Sequence, residues 1–174
     1  VYTISIIPTG MGAAGYTMPL PDNDEMFNTK NKMLEDITTL LGGRVAEEII
    51  FGDITTGASN DIKRATETAR SMVMKYGMSE KIGLIAYGND DDEVFIGRDL
   101  AHTRGYSEEV AREIDGEISR IIRECHENAE SIIRENIGVL HSCAALLLEK
   151  EKIHREEFEA LFTTEKEEVA KTNE

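Results

Sequence analysis

The chain has 174 residues, 40% of them hydrophobic. That is enough for one globular domain with its own core and excludes a disordered polar segment. Nineteen basic residues face 34 acidic ones, for a net charge of −15; this argues against a nucleic-acid surface, which needs clustered Lys and Arg, and against docking on anionic lipid.

The two cysteines, Cys125 and Cys143, fall in helical patterns with no CxxC, so they read as reduced, packed thiols rather than a disulfide. No apolar run approaches the roughly 20 residues of a membrane span. No signal peptide is visible, and an anchor, if the parent protein has one, lies outside these residues. There is no GxxxxGK[ST] loop for a nucleotide.

Along the chain, Tyr2, Ile4 and Ile6 alternate with Thr3 and Ser5 as in a strand, and Pro8-Thr9-Gly10 breaks the run. Gly12 to Met18 predicts a second, edge-like strand closed by Pro19 and Pro21. A helix is predicted over residues 29–50, with Met33, Ile37, Leu41 and Val45 on one face. At 100° per residue Arg44 and Glu48 fall on that same face. They read as a buried, mutually satisfied ion pair, as an edge pair that reaches solvent, or as a carboxylate near a metal or substrate, with Glu48 facing the core more than Glu47. Gly42-Gly43 costs about 1 kcal/mol per glycine relative to alanine, which implies a second backbone packed close by. Gly52 ends this helix.

The next helix is predicted from Ser59, as N-cap, to about Tyr76, with Ile62, Ala65, Ala69, Met72 and Val73 as its core stripe. Residues 81–97 read as irregular strand and loop, with an acidic solvated turn at Asn89-Asp90-Asp91-Asp92-Glu93 that lacks calcium-loop spacing. From Ser107 the chain is helical and charged. Val110, Ile114, Ile118, Ile121, Cys125, Ile132 and Ile133 mark a long helix broken near Ile137-Gly138. Val139 to Leu147 and Phe158 to Phe162 mark two more, with residues 163–174 as a polar, frayed tail. The fold class is therefore mainly α with a small β element near the N-terminus, ending in a helical hairpin.

Asp61 lies in the first turn of the second helix, where the dipole and free N–H groups favour a carboxylate. It borders the stripe of Ala65 and Met72, so it can face inward. Such an acid is ordinary by itself. The four histidines, His102, His126, His141 and His154, include no pair four residues apart, and His126-Glu127-Asn128-Ala129-Glu130 mimics HExxH but ends in glutamate. His126 points away from the apolar stripe, toward solvent.

What distinguishes Asp61 is the string Thr55-Thr56-Gly57-Ala58-Ser59-Asn60-Asp61 after Leu41-Gly42-Gly43-Arg44-Val45-Ala46-Glu47-Glu48. Together these resemble the peptidase (M41) domain of FtsH-type, ATP-dependent zinc metalloproteases anchored in membranes. Val1 to Pro8, Gly15-Tyr16-Thr17-Met18, Tyr76 to Gly83 and Val94-Phe95-Ile96-Gly97-Arg98 match further family segments. The resemblance covers residues 1–162, the expected peptidase domain, and leaves 163–174 as a tail.

It implies metal-assisted peptide hydrolysis in which Asp61 is the third protein ligand of a zinc. The other two ligands and the general base come from an HExxH helix that this sequence lacks. It implies Glu47 near the metal site, with Glu48 as the competing candidate. It implies an active-site edge strand, Ala14, Gly15, Tyr16 and Thr17, to which unfolded polypeptide adds by main-chain pairing. ATP and Mg would belong to an upstream module. The parent would be a homo-hexamer at the cytoplasmic face of a bacterial inner membrane, an organelle membrane being the alternative, and this segment would itself touch neither nucleic acid nor membrane. The fragment alone is expected to be inactive. The rival reading is a non-catalytic helical oligomerisation or interaction module, or a degenerate protease relative.

Overall fold

A computed structural model describes residues 1–8, 15–19, 27–87 and 105–172, with side chains described as far as residue 163. The acidic turn at residues 89–93 and Ala14 lie outside the described residues. The elements are β1 (Thr3–Ser5), β2 (Tyr16–Met18), α1 (Lys30–Phe51), α2 (Ser59–Met74), α3 (Glu108–Glu135), α4 (Ile137–Lys150), β3 (Lys152–His154) and α5 (Arg155–Thr172). The protein is thus mainly α, as expected, with a small sheet built largely from its N-terminal residues. Among the described residues no single helix is long and apolar enough to cross a membrane.

The chain divides into two compact units, one of residues 27–132 and one of residues 1–26 with 133–174. In the first, the i, i+4 spacing of Met33, Ile37 and Leu41 on α1 meets Ala65, Ala69, Met72 and Val73 of α2 and Ile114, Ile118, Ile121 and Cys125 of α3. Small residues on α2 let two helix backbones approach, and the larger Ile and Met side chains fill the remaining space. Helix α1 is framed as its sequence demands. The Thr29 hydroxyl accepts from Lys32 N, and Gly52 takes the left-handed conformation at φ 63°, its N–H donating to the Glu48 carbonyl.

Several sequence expectations need correction here. Among the described residues Gly42 and Gly43 meet no second backbone: a Cβ added at either would find nothing within 4 Å. Ser59 is not the cap of α2. The turn closed by Ser59 N–H on the Thr56 carbonyl already carries Ser59 into the helix, so Ala58 is the N-cap and no side chain caps it. The α3 stripe continues through Ala129 rather than Ile132, which is 49% exposed, because straight helical periodicity from Ile121 and Cys125 leads to 129.

In the second unit the sheet order is β2-β1-β3, both pairings antiparallel. Strand β3 is invisible to a strand pattern, since only Ile153 among its three residues is apolar. It forms because Ile153, fully buried, joins Ile4, Cys143, Leu147, Phe158 and Leu161 in a small core with α4 and α5. The helix α5 runs on to Thr172, past the expected start of the frayed tail. Cys125 and Cys143 are free and buried, and burial pushes both thiols up from their ordinary pKa.

Helix α4 ends on Glu151, which holds φ 60°, a left-handed conformation that favours glycine. Its N–H donates to the Leu147 carbonyl, and its own carbonyl accepts from Ile6 N–H, so the strained turn also docks β1. Glu151→Gly is expected to raise stability by about 1 kcal/mol, seen as a higher urea midpoint at unchanged slope.

Candidate functional site

Glu47, Glu48 and Asp61 sit where α1 ends and α2 begins, within the unit of residues 27–132. Helix α1 places Arg44 and Glu47 on adjacent turns, facing the loop of residues 53–58. Their side chains are 13% and 22% exposed. Glu47 Oε1 accepts from the Thr55 hydroxyl at 2.6 Å, and Glu47 Oε2 accepts from the Thr55 N–H at 3.2 Å. Arg44 Nη2 donates to the Thr55 carbonyl at 2.9 Å, while Nη1, buried and without a hydrogen bond, lies 3.9 Å from Glu47 Oε2. The Thr55 hydroxyl in turn accepts from Gly57 N–H at 3.1 Å. Two charged side chains of one helix thereby grip the loop that starts the next.

Bonds from the Thr55 hydroxyl, then from its N–H, hold the Glu47 carboxyl below its ordinary 4.5. They outweigh desolvation, and the Arg44 charge adds to them. A depressed carboxylate contributes its stability above the unfolded value and loses it only as pH falls through the folded one. The grip is therefore fully formed at neutral pH and weakens only in acid, below 4.5.

The expected Arg44–Glu48 pair is not made. Arg44 turns to Thr55 and Glu47, whereas Glu48 meets His126 Nε2 on α3 at 3.1 Å. His126 is consequently a tie between α1 and α3, only 34% exposed, rather than a side chain turned to open solvent. Glu47 is also more buried than Glu48, at 22% against 38% exposure. The helical wheel missed this because it ranks residues against the α1 core alone and cannot see the loop folding back over Glu47.

Asp61 is displayed in the first turn of α2 with its side chain 44% exposed. Its nearest charged partner is Arg64, one turn on, at 3.8 Å. That is a loose contact, so the carboxylate oxygens stay open to a further partner. An open anionic oxygen suits one position in the coordination of a divalent cation. Among the described residues no three His, Cys, Asp or Glu side chains gather closely enough to hold a metal. A zinc centre at Asp61 would therefore need protein ligands beyond the described residues.

In the other unit, β2 lies at an edge of the sheet with Thr17 and Met18 exposed. The predicted edge strand is present over Tyr16 and Thr17, with Gly15 just before it. Gly15 is there for a steric reason: a Cβ would fall 2.3 Å from the Ser5 carbonyl oxygen and 3.1 Å from Ile6 Cα. Both are backbone atoms that cannot swing aside. Gly15→Ala is therefore expected to displace β2 from β1 and cost about 1–3 kcal/mol, visible as lost amide protection at Thr17 and a lower urea midpoint.

The sequence pattern of peptidase family M41 matches residues 1–161. The chain is 54% identical over 165 residues to the ATP-dependent zinc metalloprotease FtsH 1 of a Thermoanaerobacter species, covering 95% of this chain and 27% of that protein. It is 55% identical over 161 residues to the FtsH protein of Caldicellulosiruptor bescii, covering 92% of this chain and 26% of the relative. Against the FtsH protein of Thermotoga maritima it is 48% identical over 169 residues, covering 97% and 28%. The chain thus spans about a quarter of the length of these relatives. On the match along nearly its whole length, the chain belongs to peptidase family M41.

Proposed function

We propose that this chain supplies Asp61 as one protein ligand of the zinc in a larger ATP-dependent metalloendopeptidase that degrades unfolded polypeptide. The observation that carries this reading is the half-exposed Asp61 carboxylate, presented in a helical first turn behind a loop clamped by Arg44 and Glu47. Relatives at about half identity are named ATP-dependent zinc metalloproteases, which supports zinc as the metal and ATP, with Mg, as the ligand of a separate module. Glu47 acts on Asp61 through the loop and Glu48 braces α1 against α3. The edge strand β2 offers main-chain pairing to an extended substrate, a mode tolerant of sequence.

The whole protein would be a homo-hexamer, held by an anchor outside these residues at the cytoplasmic face of a bacterial membrane. Residues 1–162 would form its peptidase domain and 163–174 an appended segment. The second reading, a helical interaction module, draws on the large apolar side chains left open at Phe51, 75% exposed, and Leu84, 95% exposed. The two readings are compatible within a ring of protease domains.

The test compares the full-length protein, given zinc and ATP, with the 174-residue chain given zinc, on unfolded casein. Chelator-sensitive cleavage is expected from the first and none from the second. Robust chelator-sensitive cleavage by the 174-residue chain would refute this division of labour.

A further inference from the structure

Every polar group of Thr55 is engaged. Its N–H and hydroxyl both donate to the two oxygens of Glu47, and its carbonyl accepts from Arg44 Nη2. Its hydroxyl oxygen accepts from Gly57 N–H. The first three bonds tie the loop to α1, and the fourth carries that tie two residues onward, toward the turn that opens α2. Ser59 N–H then closes on the Thr56 carbonyl, and Ile62 N–H on the Ala58 carbonyl. An unbroken series of hydrogen bonds therefore runs from α1 through one hydroxyl to the helical turn holding Asp61.

Without that hydroxyl Glu47 would keep only one bond to the loop, and Gly57 N–H would have no partner inside it. Glycine at 57 makes the tether more necessary, since it leaves the backbone free just where the chain must be aimed. Valine is nearly the same shape as threonine but can neither donate nor accept, while serine keeps the hydroxyl and loses only a methyl group. The pair therefore separates hydrogen bonding from bulk.

We propose that Thr55 is the positioning residue for Asp61, its hydroxyl relaying the grip of Glu47 to Gly57 and so fixing where the α2 carboxylate is presented. This rests on the reading of Asp61 as a metal ligand, and it makes Thr55 act through another residue without touching metal or substrate.

Two measurements test it. In the 174-residue chain, hydrogen–deuterium exchange at Gly57 is expected to speed up about tenfold in Thr55→Val, the effect of losing one or two net hydrogen bonds. Amides of residues 65–73 should keep their protection, and Thr55→Ser should resemble the wild type. In the full-length protein, chelator competition should show zinc held about tenfold less tightly in Thr55→Val and restored in Thr55→Ser. Wild-type exchange at Gly57 in the valine variant would overturn the proposal. Loss of protection throughout residues 65–73 would also overturn it, because the role would then be general folding. So would unchanged zinc affinity beside a loosened Gly57. Failure of the underlying reading looks different: Asp61→Ala would keep wild-type zinc affinity while the exchange result at Gly57 stood.

Discussion

Replacing Asp61 with alanine in the full-length, zinc-loaded protein is expected to lower metal affinity and peptide cleavage by at least about a hundredfold, since even residues behind the metal ligands cost 10–100-fold. The fold of this chain should barely notice. Asp61 is 44% exposed, and its ion pair with Arg64 is 3.8 Å long, a geometry that contributes little in water. What remains is its favourable place at the N-terminus of α2, which is worth about 0.3–1 kcal/mol. A change that removes function and leaves the urea midpoint nearly untouched is the signature of a ligand rather than of a packing residue. Metal content by elemental analysis and casein cleavage, each beside a denaturation curve, check both halves. Normal zinc content in the alanine variant would remove Asp61 from the coordination sphere.

The same physics explains what the sequence did and did not make legible. Helices α1, α2 and α3 were readable because their apolar residues recur every three or four positions over four to eight turns, a signal that survives single exceptions. The place of Asp61 in the first turn of α2 was readable because the helix pattern starts directly after the string of small and hydroxyl residues. What failed were statements about partners across space. Arg44 and Glu48 share a face, so they seemed to be a pair. Thr55 and His126, eleven and 78 residues from their respective partners, separated them. Gly42-Gly43 read as a close approach of backbones, but among the described residues nothing lies within 4 Å of a Cβ at either. Strand β3 has three residues and one apolar side chain, too short to show a period, and exists because the chain after α4 returns along β1. Periodicity reports which face of an element is buried; it carries no information about which remote side chain arrives there.

Glu117 is the sharpest case and gives the largest expected stability change. It sits in α3 between Ile114 and Ile118, 6% exposed, in a charged stretch whose pattern singles out no buried carboxylate. Its Oε2 accepts from the buried Ser79 hydroxyl at 2.6 Å and from Arg120 Nη2 at 3.0 Å, and its Oε1 accepts from Arg120 Nε at 3.1 Å. Ser79 in turn accepts from Ile82 N–H, which shapes the turn after α2. Glu117→Ala would strand the Ser79 hydroxyl in a dry site and take two hydrogen bonds from Arg120, which keeps its pairing with Glu124, so a loss of about 2–4 kcal/mol is expected. That is several times the expected cost of changing Asp61. Ser79→Ala, which leaves the Arg120 bonds in place, should cost about 1 kcal/mol. The ordering follows from charge: the carboxylate serves three donors, the hydroxyl one. Arg120, ahead of Ser79, holds the Glu117 carboxyl below its ordinary 4.5 against the opposing effect of burial. This stabilisation is therefore complete at neutral pH and disappears as pH falls through the depressed value. Acid unfolding of the wild type should consequently begin below 4.5, and Glu117→Ala should flatten that part of the stability–pH curve. An acid limb as steep in the variant as in the wild type would mean that other carboxylates drive it and that the Glu117–Ser79–Arg120 cluster is marginal to the fold.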